Sequence, residues 1–198
     1  MRRSQQDRSS TTKAALTAAA RELFAARGYQ AVPADEIVRA AGVTRGALYH
    51  HYADKQGLFR SVVAQLEAEL TAELRAVMDA APDAVTGMFA LLTAFFDACG
   101  RPENRQISLI DAPAVLGWRE WRAIEAEHGL GLLVDVLTVA VEAGLLAPQP
   151  VEVLARMLLG AVIEAVLLIA DADDPVRARA EAEQALGAWF AGLVNQAR

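Results

Sequence analysis

The sequence predicts an all-helical protein made of a small N-terminal head and a larger body. Alanine is abundant, runs of β-branched residues are few, and no segment alternates apolar and polar residues with a period of two. Apolar residues make up 54% of the 198 positions, well above a disordered chain and enough for one sizeable core or two small ones. Together these observations favour an all-α fold.

The helices are placed from apolar spacing and from the Gly and Pro residues at their ends. A first helix is predicted at about 9–27, and a helix at about 55–80 carries a continuous apolar stripe. Further helices are predicted at about 83–99, 102–109, 113–127, 129–143, 150–170 and 175–196. At about 1.5 Å per residue, the 55–80 helix can run from the head into the body. The predicted domains are 1–60 and 61–198.

Two short helices joined by a tight turn are predicted at about residues 33–52. The first ends at about Ala41, because Gly42 can take the left-handed backbone that stops a helix. Thr44 can cap the second, at about 45–51. A small apolar core under the turn is predicted from Ile37, Ala41, Val43 and Leu48. This layout is typical of a helix-turn-helix, whose second helix enters the major groove of DNA.

The motif lies within residues 12–66, which contain the runs AARELFAARGYQA and DEIVRAAGVTRGALYHHYADKQGLF. Over these residues the sequence resembles the DNA-binding domain of the TetR family of transcriptional regulators. This resemblance implies an all-α protein with an N-terminal three-helix helix-turn-helix DNA-binding domain, followed by a helical ligand-binding and dimerisation domain. Such a chain is expected to be a homodimeric repressor that a small-molecule effector releases from a palindromic double-stranded DNA operator.

Two positions depart from the family pattern. Val32 cannot cap the second helix with its side chain, although Pro33 suits the first helical position. Gly57 stands where the family often has Glu, so no full capping box with Asp54 is expected. Each change is expected to loosen a helix end by roughly 1 kcal/mol, and neither removes a DNA contact.

Charge is divided unequally along the chain. Residues 1–60 hold ten Lys and Arg against five Asp and Glu, a net charge of +5. The remaining residues hold nine basic and twenty acidic side chains, a net charge of −11. A basic head on an acidic body is expected if the head alone meets phosphate.

The chain is predicted to be cytoplasmic and free of membrane contact. A single cysteine, Cys99, allows no internal disulfide and fits a reducing compartment. The N-terminus MRRSQQDRSSTTK has no apolar stretch, which predicts no signal peptide. Glu152, Arg156 and Glu164 interrupt the apolar run at 150–170, and each would cost about 2.5–3.5 kcal/mol near a bilayer centre.

The predicted DNA contacts lie on the second helix of the motif and beside it. Base edges are expected to meet Thr44, Arg45 and Gly46. Arg45 is the candidate for a bidentate contact to guanine, and Tyr49 and His50 can hydrogen-bond phosphate. Lys55 opens the next helix, where the positive dipole end also favours phosphate. The N-terminal arm, Thr11, Thr12 and Lys13 are expected near a phosphate strand. Tyr52 is expected to pack.

The body is predicted to bind the effector. The candidate pocket residues are Trp118, Trp121, Phe89, Leu92, Phe96 and Glu164. The two tryptophans are costly to bury without a partner for each indole N–H. Glu164 stands in the apolar run GAVIEAVLLIA, where it needs a partner across a dimer interface or a ligand to face. Such a pocket would suit a lipophilic molecule, and a cationic one if Glu164 faces it. Asp111, His128 and Cys99 are weaker candidates.

The last two helices are predicted to form the homodimer interface. Small residues there allow helices to approach closely: Gly160, Ala161, Ala165, Ala185, Ala188 and Gly192. Two such helices from each of two chains would make a four-helix interface, and a two-fold dimer presents two recognition helices to a palindrome.

Catalysis, cofactors and metals are not expected. His50 and His51 diverge by about 100° on a helix, and neither a nucleophile grouping nor a phosphate-binding loop stands out. Two alternatives to the effector-released repressor stay open. One is a DNA-binding regulator without an effector, which predicts a filled body. The other is a helical ligand-binding protein or enzyme that does not regulate transcription.

Overall fold

The structure, a computed structural model, describes residues 5–195 as ten α-helices and one π-helical segment. The helices are α1 (Gln5–Arg27), α2 (Ala34–Ala40), α3 (Arg45–His51), α4 (Lys55–Ala80), α5 (Ala84–Cys99), α6 (Pro102–Asn104), α7 (Ala112–Leu116), α8 (Trp118–Glu142), α9 (Val151–Asp171) and α10 (Pro175–Asn195). The π-helical segment, Arg105–Asp111, lies between α6 and α7. Within the described residues no strand is present, so the all-α prediction is confirmed.

Most predicted helix ends are confirmed to within a residue or two. The helices predicted at 45–51 and 55–80 have the observed bounds, and those at 83–99 and 150–170 are each shifted by one residue at an end or at both. The first helix starts earlier than expected, at Gln5. The predicted last residue of the final helix, Gln196, lies outside the described residues.

The prediction between residues 102 and 143 was wrong in its helix boundaries. The break expected near residue 128 is absent, because α8 runs unbroken through Gly129 and Gly131. The break falls instead at Gly117, where φ is +81°. A glycine inside a helix costs only about 1 kcal/mol relative to alanine. Burial of the following apolar face, with Leu132 and Leu137 almost inaccessible, outweighs that cost.

The chain divides into two compact units that are not contiguous in sequence. The described part of the first unit spans 5–66 and 102–122, and that of the second spans 67–101 and 123–195. The predicted division at residue 60 did not anticipate that residues 102–122, here called the inserted segment, belong with the N-terminal helices. Both α4 and α8 continue from one unit into the other.

The first unit is built on a core of fully buried side chains from α1 to α4. These are Leu16, Ala20, Phe24, Val32, Ile37, Leu48, Leu58, Phe59, Val62 and Val63. Phe24, Tyr29 and Phe59 form an aromatic cluster with ring centroids 4.9 to 5.4 Å apart. The cluster fixes the chain between α1 and α2 against the start of α4.

The second unit packs α9 against α10, with α5 in contact with both. Its α9 is long and apolar enough to cross a membrane by length and composition alone. Core helices of soluble proteins share these properties, and one side of α9 is buried here through Leu154, Ala155, Leu158 and Leu159.

Candidate nucleic-acid interface

Local hydrogen bonds end α2 and begin α3 on the two sides of a tight turn. Gly42 has a φ of +66° and its N–H donates to the carbonyl of Arg39 at 3.1 Å, while the N–H of Val43 donates to the carbonyl of Val38 at 3.1 Å. This pair of bonds is a Schellman motif. Thr44 then takes an extended conformation, and its Oγ1 accepts the N–H of Ala47 at 3.2 Å. The predicted turn and cap are confirmed.

Burial separates the two faces of α3 as predicted. Ile37 and Leu48 are fully buried under the turn, although Ala41 and Val43 are only half-buried. The opposite face is exposed and carries Thr44, Arg45, Gly46, Tyr49 and His50. A surface of hydroxyl, guanidinium and imidazole groups therefore stands on a rigid apolar base, which is how a recognition helix meets the major groove.

Arg45 is held at this surface by two neighbours. Its Nη1 lies 3.2 Å from Oδ1 of Asp35, and its guanidinium lies 5.7 Å from the ring centroid of Tyr49. The hydrogen bond to Tyr49 and then the charge of Asp35 raise the pKa of Arg45, so the group stays cationic. Because exposed ion pairs are weak in water, the guanidinium can exchange Asp35 for a base edge.

Gly46 and His50 leave the rest of the surface open. A Cβ at Gly46 would meet only Oγ1 of Thr44, at 3.9 Å, so backbone is accessible at the start of α3. His50 is exposed in the last turn, and its ring meets that of His51 edge to face at 5.1 Å.

The α1 residues predicted near phosphate are exposed beside a buried polar pair. Thr11 and Lys13 are exposed, and the ammonium of Lys13 lies 5.9 Å from the ring centroid of Tyr52. Tyr52 is buried and shares a 2.8 Å hydrogen bond with Thr17, so the prediction that it packs is confirmed. The first four residues of the predicted N-terminal arm lie outside the described residues.

Lys55 has a role that its sequence position did not suggest. Its Nζ donates to the carbonyls of Tyr29 at 2.9 Å and Val32 at 3.0 Å, and it lies 3.7 Å from the ring centroid of Tyr29. Burial lowers the pKa of Lys55, against a smaller opposing effect of the Asp111 charge. Two of its three N–H groups are engaged in fixing the α1–α2 connection.

The helix caps differ in one detail from expectation. Pro33 is the N-cap of α2, with ψ at 149°, and not its first helical residue, because the helix begins at Ala34. Its side chain makes no capping hydrogen bond. Asp54 caps α4 through Gly57, whose N–H donates to Oδ1 at 2.7 Å. Gly57 has no side chain to return this bond, as predicted.

Several hydrogen bonds join the inserted segment to the helix-turn-helix part of the first unit. The guanidinium of Arg21 makes two hydrogen bonds to the Glu103 carboxylate, at 2.6 and 2.9 Å. The N–H of Tyr29 donates to Oδ2 of the buried Asp111 at 2.8 Å. In addition, Nε2 of Gln56 donates to the Val115 carbonyl at 2.8 Å, and Nε of Arg60 donates to Oε1 of Glu120 at 2.6 Å. Of the residues of the inserted segment that make these bonds, the sequence analysis singled out Asp111 alone, as a weaker candidate for the ligand pocket.

The six predicted pocket residues are divided between the two units. Trp118 and Trp121 belong to the first unit, where Trp118 is 58% exposed. Trp121 is fully buried, and its indole N–H has no partner among the described residues. In the second unit, Phe89 and Glu164 are exposed and Phe96 is buried.

A cavity of about 70 Å³ lies within the second unit. It is lined by Leu74, Met88, Leu91, Leu92, Phe95, Gly129, Leu132, Leu133, Leu159, Val162 and Phe190. Of the predicted pocket residues, Leu92 is in this lining. Across the described residues, no group of three His, Cys, Asp or Glu side chains is placed to hold a metal ion.

Comparison with family profiles covers most of the chain. Residues 16–62 match the profile of the bacterial regulatory proteins of the tetR family, and residues 85–193 match the tetracyclin repressor-like C-terminal domain. The first match contains the turn, α3 and the start of α4 described above. The second covers the body, where sequence reasoning had only a general helical resemblance.

Individual relatives agree with the profiles. A solved TetR-family transcriptional regulator from Pectobacterium atrosepticum is 32% identical, with a TM-score of 0.85 over 97% of this chain and 98% of that chain. The transposon Tn10 TetC protein of Escherichia coli is 28% identical over 79% of each chain. The HTH-type transcriptional repressor BepR of Brucella suis is 40% identical over 33% of this chain and 31% of its own length. RolR, solved with resorcinol, shares the fold at 18% identity, with a TM-score of 0.72 over 91% of this chain and 95% of that chain.

The exposed face of α3 and the comparisons point to the same activity. The polar surface stands on the part of the chain that matches the tetR-family profile, and several relatives are named as regulators or repressors of transcription. The chain therefore belongs to the TetR family of DNA-binding transcriptional regulators.

Proposed function

We propose that this regulator is a cytoplasmic homodimeric repressor that leaves a palindromic operator when a small molecule binds its second unit. The observation that supports operator reading best is the exposed face of α3 on a fully buried core. The first unit carries a net charge of +5 and the second −11, because the inserted segment adds three basic and three acidic residues. Phosphate therefore attracts the first unit only.

Within this proposal the polar residues of the head divide by role. Arg45 makes a bidentate contact to guanine, beside Thr44 and the open backbone of Gly46. Tyr49 and His50 contact phosphate at the edge of the groove. The remaining phosphate contacts are assigned to Thr11, Lys13 and the one N–H of Lys55 that the Tyr29 and Val32 carbonyls leave over.

The dimer interface is proposed at α9 and α10. Val153, Met157 and Leu168 lie on one side of α9 and are 57–60% exposed, which is unusual for a helix whose other side is core. Gly160 and the exposed Glu164 fall on the same side by helical spacing. A second copy would cover this face and place two α3 helices about one DNA turn, roughly 34 Å, apart.

Effector control is proposed to act through the elements shared by the two units. Both α4 and α8 pass from the second unit into the first, and the inserted segment is bonded to the helix-turn-helix. A ligand shifts the population only by binding one state better than the other. RolR shows that a protein of this fold accommodates a small molecule. A regulator without an effector predicts a filled body, and the cavity in the second unit favours the effector-responsive reading.

The test is a gel shift with the DNA upstream of the chain's own gene, across a salt series. Wild type is compared with Arg45→Ala and with Arg101→Ala, an exposed arginine of the second unit that lies outside α9 and α10 and pairs with Glu73. We expect Arg45→Ala to weaken specific binding by about 5-fold to 150-fold, since a bidentate contact discriminates by about 1–3 kcal/mol. Arg101→Ala should bind as wild type does.

Equal binding by wild type and Arg45→Ala to every fragment would contradict the assignment of α3 as the reading helix. If the upstream DNA is not bound, selection of bound fragments from the whole genome supplies the operator for the same comparison. A repressor further requires that operator occupancy lower transcription from the adjacent promoter, which a reporter assay measures directly.

A further inference from the structure

The cavity of the second unit has a lining that restricts what it can bind. Its side chains come from α4, α5, α8, α9 and α10 and are aliphatic, aromatic or thioether groups. Among the described residues of the lining there is no ionisable side chain and no hydroxyl or amide side chain. A charged or strongly polar group placed there would lose its hydration without gaining a hydrogen bond.

The volume sets a size for the occupant. The cavity is about 70 Å³ on a scale where one water needs about 10–15 Å³, so it holds roughly five to seven non-hydrogen atoms. Apolar cavities accept small hydrocarbons, whereas a bound water needs two or more polar partners, which this lining does not offer. A single aromatic ring or a short alkyl chain matches both the volume and the lining.

We propose that the effector is an uncharged molecule whose hydrocarbon ring or chain end occupies this cavity without hydrogen bonds. The proposal rests on the effector-responsive function above and narrows its ligand class. It departs from the sequence expectation of a cationic ligand, because the exposed Glu164 is not part of the lining.

The lining also connects the ligand with the rest of the molecule. Leu74 belongs to α4, and Gly129, Leu132 and Leu133 belong to α8. These are the two helices that continue into the first unit. A molecule that fills the cavity therefore contacts both continuous helices at once.

Two probes that share a benzyl group separate this proposal from a general lipophilic site. Toluene has seven carbons and no charge, and benzylamine at pH 7 carries an ammonium group on the carbon that is the methyl group of toluene. Thermal unfolding of the full-length protein is followed against the concentration of each probe, since a ligand of the native state raises the midpoint. We expect toluene to bind at least about a hundredfold more tightly than benzylamine. The ammonium group of benzylamine would lose its hydration in the cavity without gaining a partner there.

Two glycines of α8 provide a matched pair of variants. Gly129 lines the cavity, and a Cβ there would lie 3.9 Å from Cδ1 of Leu159, in ordinary contact. Gly131 is exposed, and a Cβ there meets nothing within 4 Å. Gly129→Leu places three further carbons into the cavity, while Gly131→Leu makes the same change in helix propensity outside it. We expect toluene affinity to fall about tenfold or more in Gly129→Leu only.

If Gly129→Leu fails to fold, Gly129→Ala against Gly131→Ala gives the same comparison with a smaller change. Toluene that does not stabilise wild type, benzylamine that binds as tightly, or equal losses in the matched variants would each overturn the proposal.

The operator gel shift with added toluene then tests the regulatory part. Release of DNA by wild type but not by Gly129→Leu supports it, and binding without release refutes the effector assignment alone. Absence of any operator would instead refute the proposed function, while the unfolding data still decide the cavity.

Discussion

Gly28 and Gly42 end α1 and α2 with similar left-handed backbones but different surroundings. Their φ values are +74° and +66°. A Cβ at Gly28 would lie 3.1 Å from Nε2 of Gln106 and within 3.6 Å of the Asp111 carboxylate, whereas one at Gly42 meets nothing within 4 Å. The first glycine is therefore needed for conformation and for close approach, and the second for conformation alone.

Substitution by alanine should separate these two effects. We expect Gly42→Ala to lower the free energy of unfolding by about 1 kcal/mol, the cost of a left-handed non-glycine residue. Gly28→Ala should cost clearly more, because the inserted segment must also shift. Chemical denaturation of both variants measures the difference. Equal losses of unfolding free energy in the two variants would show that Gln106 moves aside freely and that its closeness to Gly28 does not affect stability.

Local residue chemistry made part of the site predictable. The roles of Gly42 and Thr44 depend on neighbours within four positions, so the sequence was sufficient to place the turn and the cap. The bonds of Lys55 reach back 26 and 23 positions, and that of Asp111 reaches 82. No local rule selects such partners from several carbonyls and carboxylates, which is why Lys55 was predicted only as a phosphate ligand.

The π-helical segment and its neighbours, α6 and α7, together contact the helix-turn-helix part of the first unit. Substitution of Asp111 tests how much these contacts stabilise it. The Asp111 carboxylate is buried and accepts the N–H of Tyr29, whose carbonyl in turn accepts from Lys55. We expect Asp111→Ala to destabilise the first unit by about 1.5–3 kcal/mol, the usual loss for a hydrogen bond to a charged group. Hydrogen exchange at the Tyr29 amide should accelerate correspondingly.

Asp111→Asn is the matched control, because its amide oxygen can still accept the Tyr29 N–H. We expect it to retain most of the amide protection and of the operator affinity. Asp111→Ala should weaken operator binding without changing the slope of affinity with salt, since no phosphate contact is removed. A slope reduced by about one unit would mean that the substitution disturbs a phosphate contact such as that assigned to Lys55.

Helix existence was more predictable than helix breaks. The apolar stripe of α4, the Thr44 cap of α3, and Pro82 and Gly100 on either side of α5 predicted bounds within a residue of those observed. Gly117 and the pair Gly129 and Gly131 have equal intrinsic tendencies to interrupt a helix, so only the packing of the surrounding residues decides between them. The π-helical segment has no sequence signature of this kind.

At the scale of the whole molecule, the sequence indicated the charge division but not the units. The +5 head and the −11 remainder were visible as counts along the chain. A single division point along the sequence could not reveal that residues 102–122 belong to the first unit, because their placement depends on contacts such as that of Arg21 with Glu103. Residues 102–122 have a net charge of zero, so their assignment to the first unit leaves the net charges of +5 and −11 unchanged.

The proposed homodimer is the property of the whole molecule on which binding to a palindromic operator would depend. Met157, 58% exposed on α9, lies on the proposed interface, and Val139, 54% exposed on α8, provides a control of similar exposure outside α9 and α10. We expect Met157→Glu to weaken the dimer by about 2–4 kcal/mol, the range of a residue central to an interface. Val139→Glu should leave the dimer intact.

Sedimentation over a concentration series measures the dimer directly, and the gel shift measures its consequence. A monomeric Met157→Glu chain has one recognition helix, so it should lose cooperative binding to the full palindrome while keeping wild-type affinity for an isolated half-site. A monomer that still bound the full site as wild type does would contradict two-headed reading. A dimer that survived Met157→Glu but dissociated in Val139→Glu would move the interface from α9 and α10 to α8.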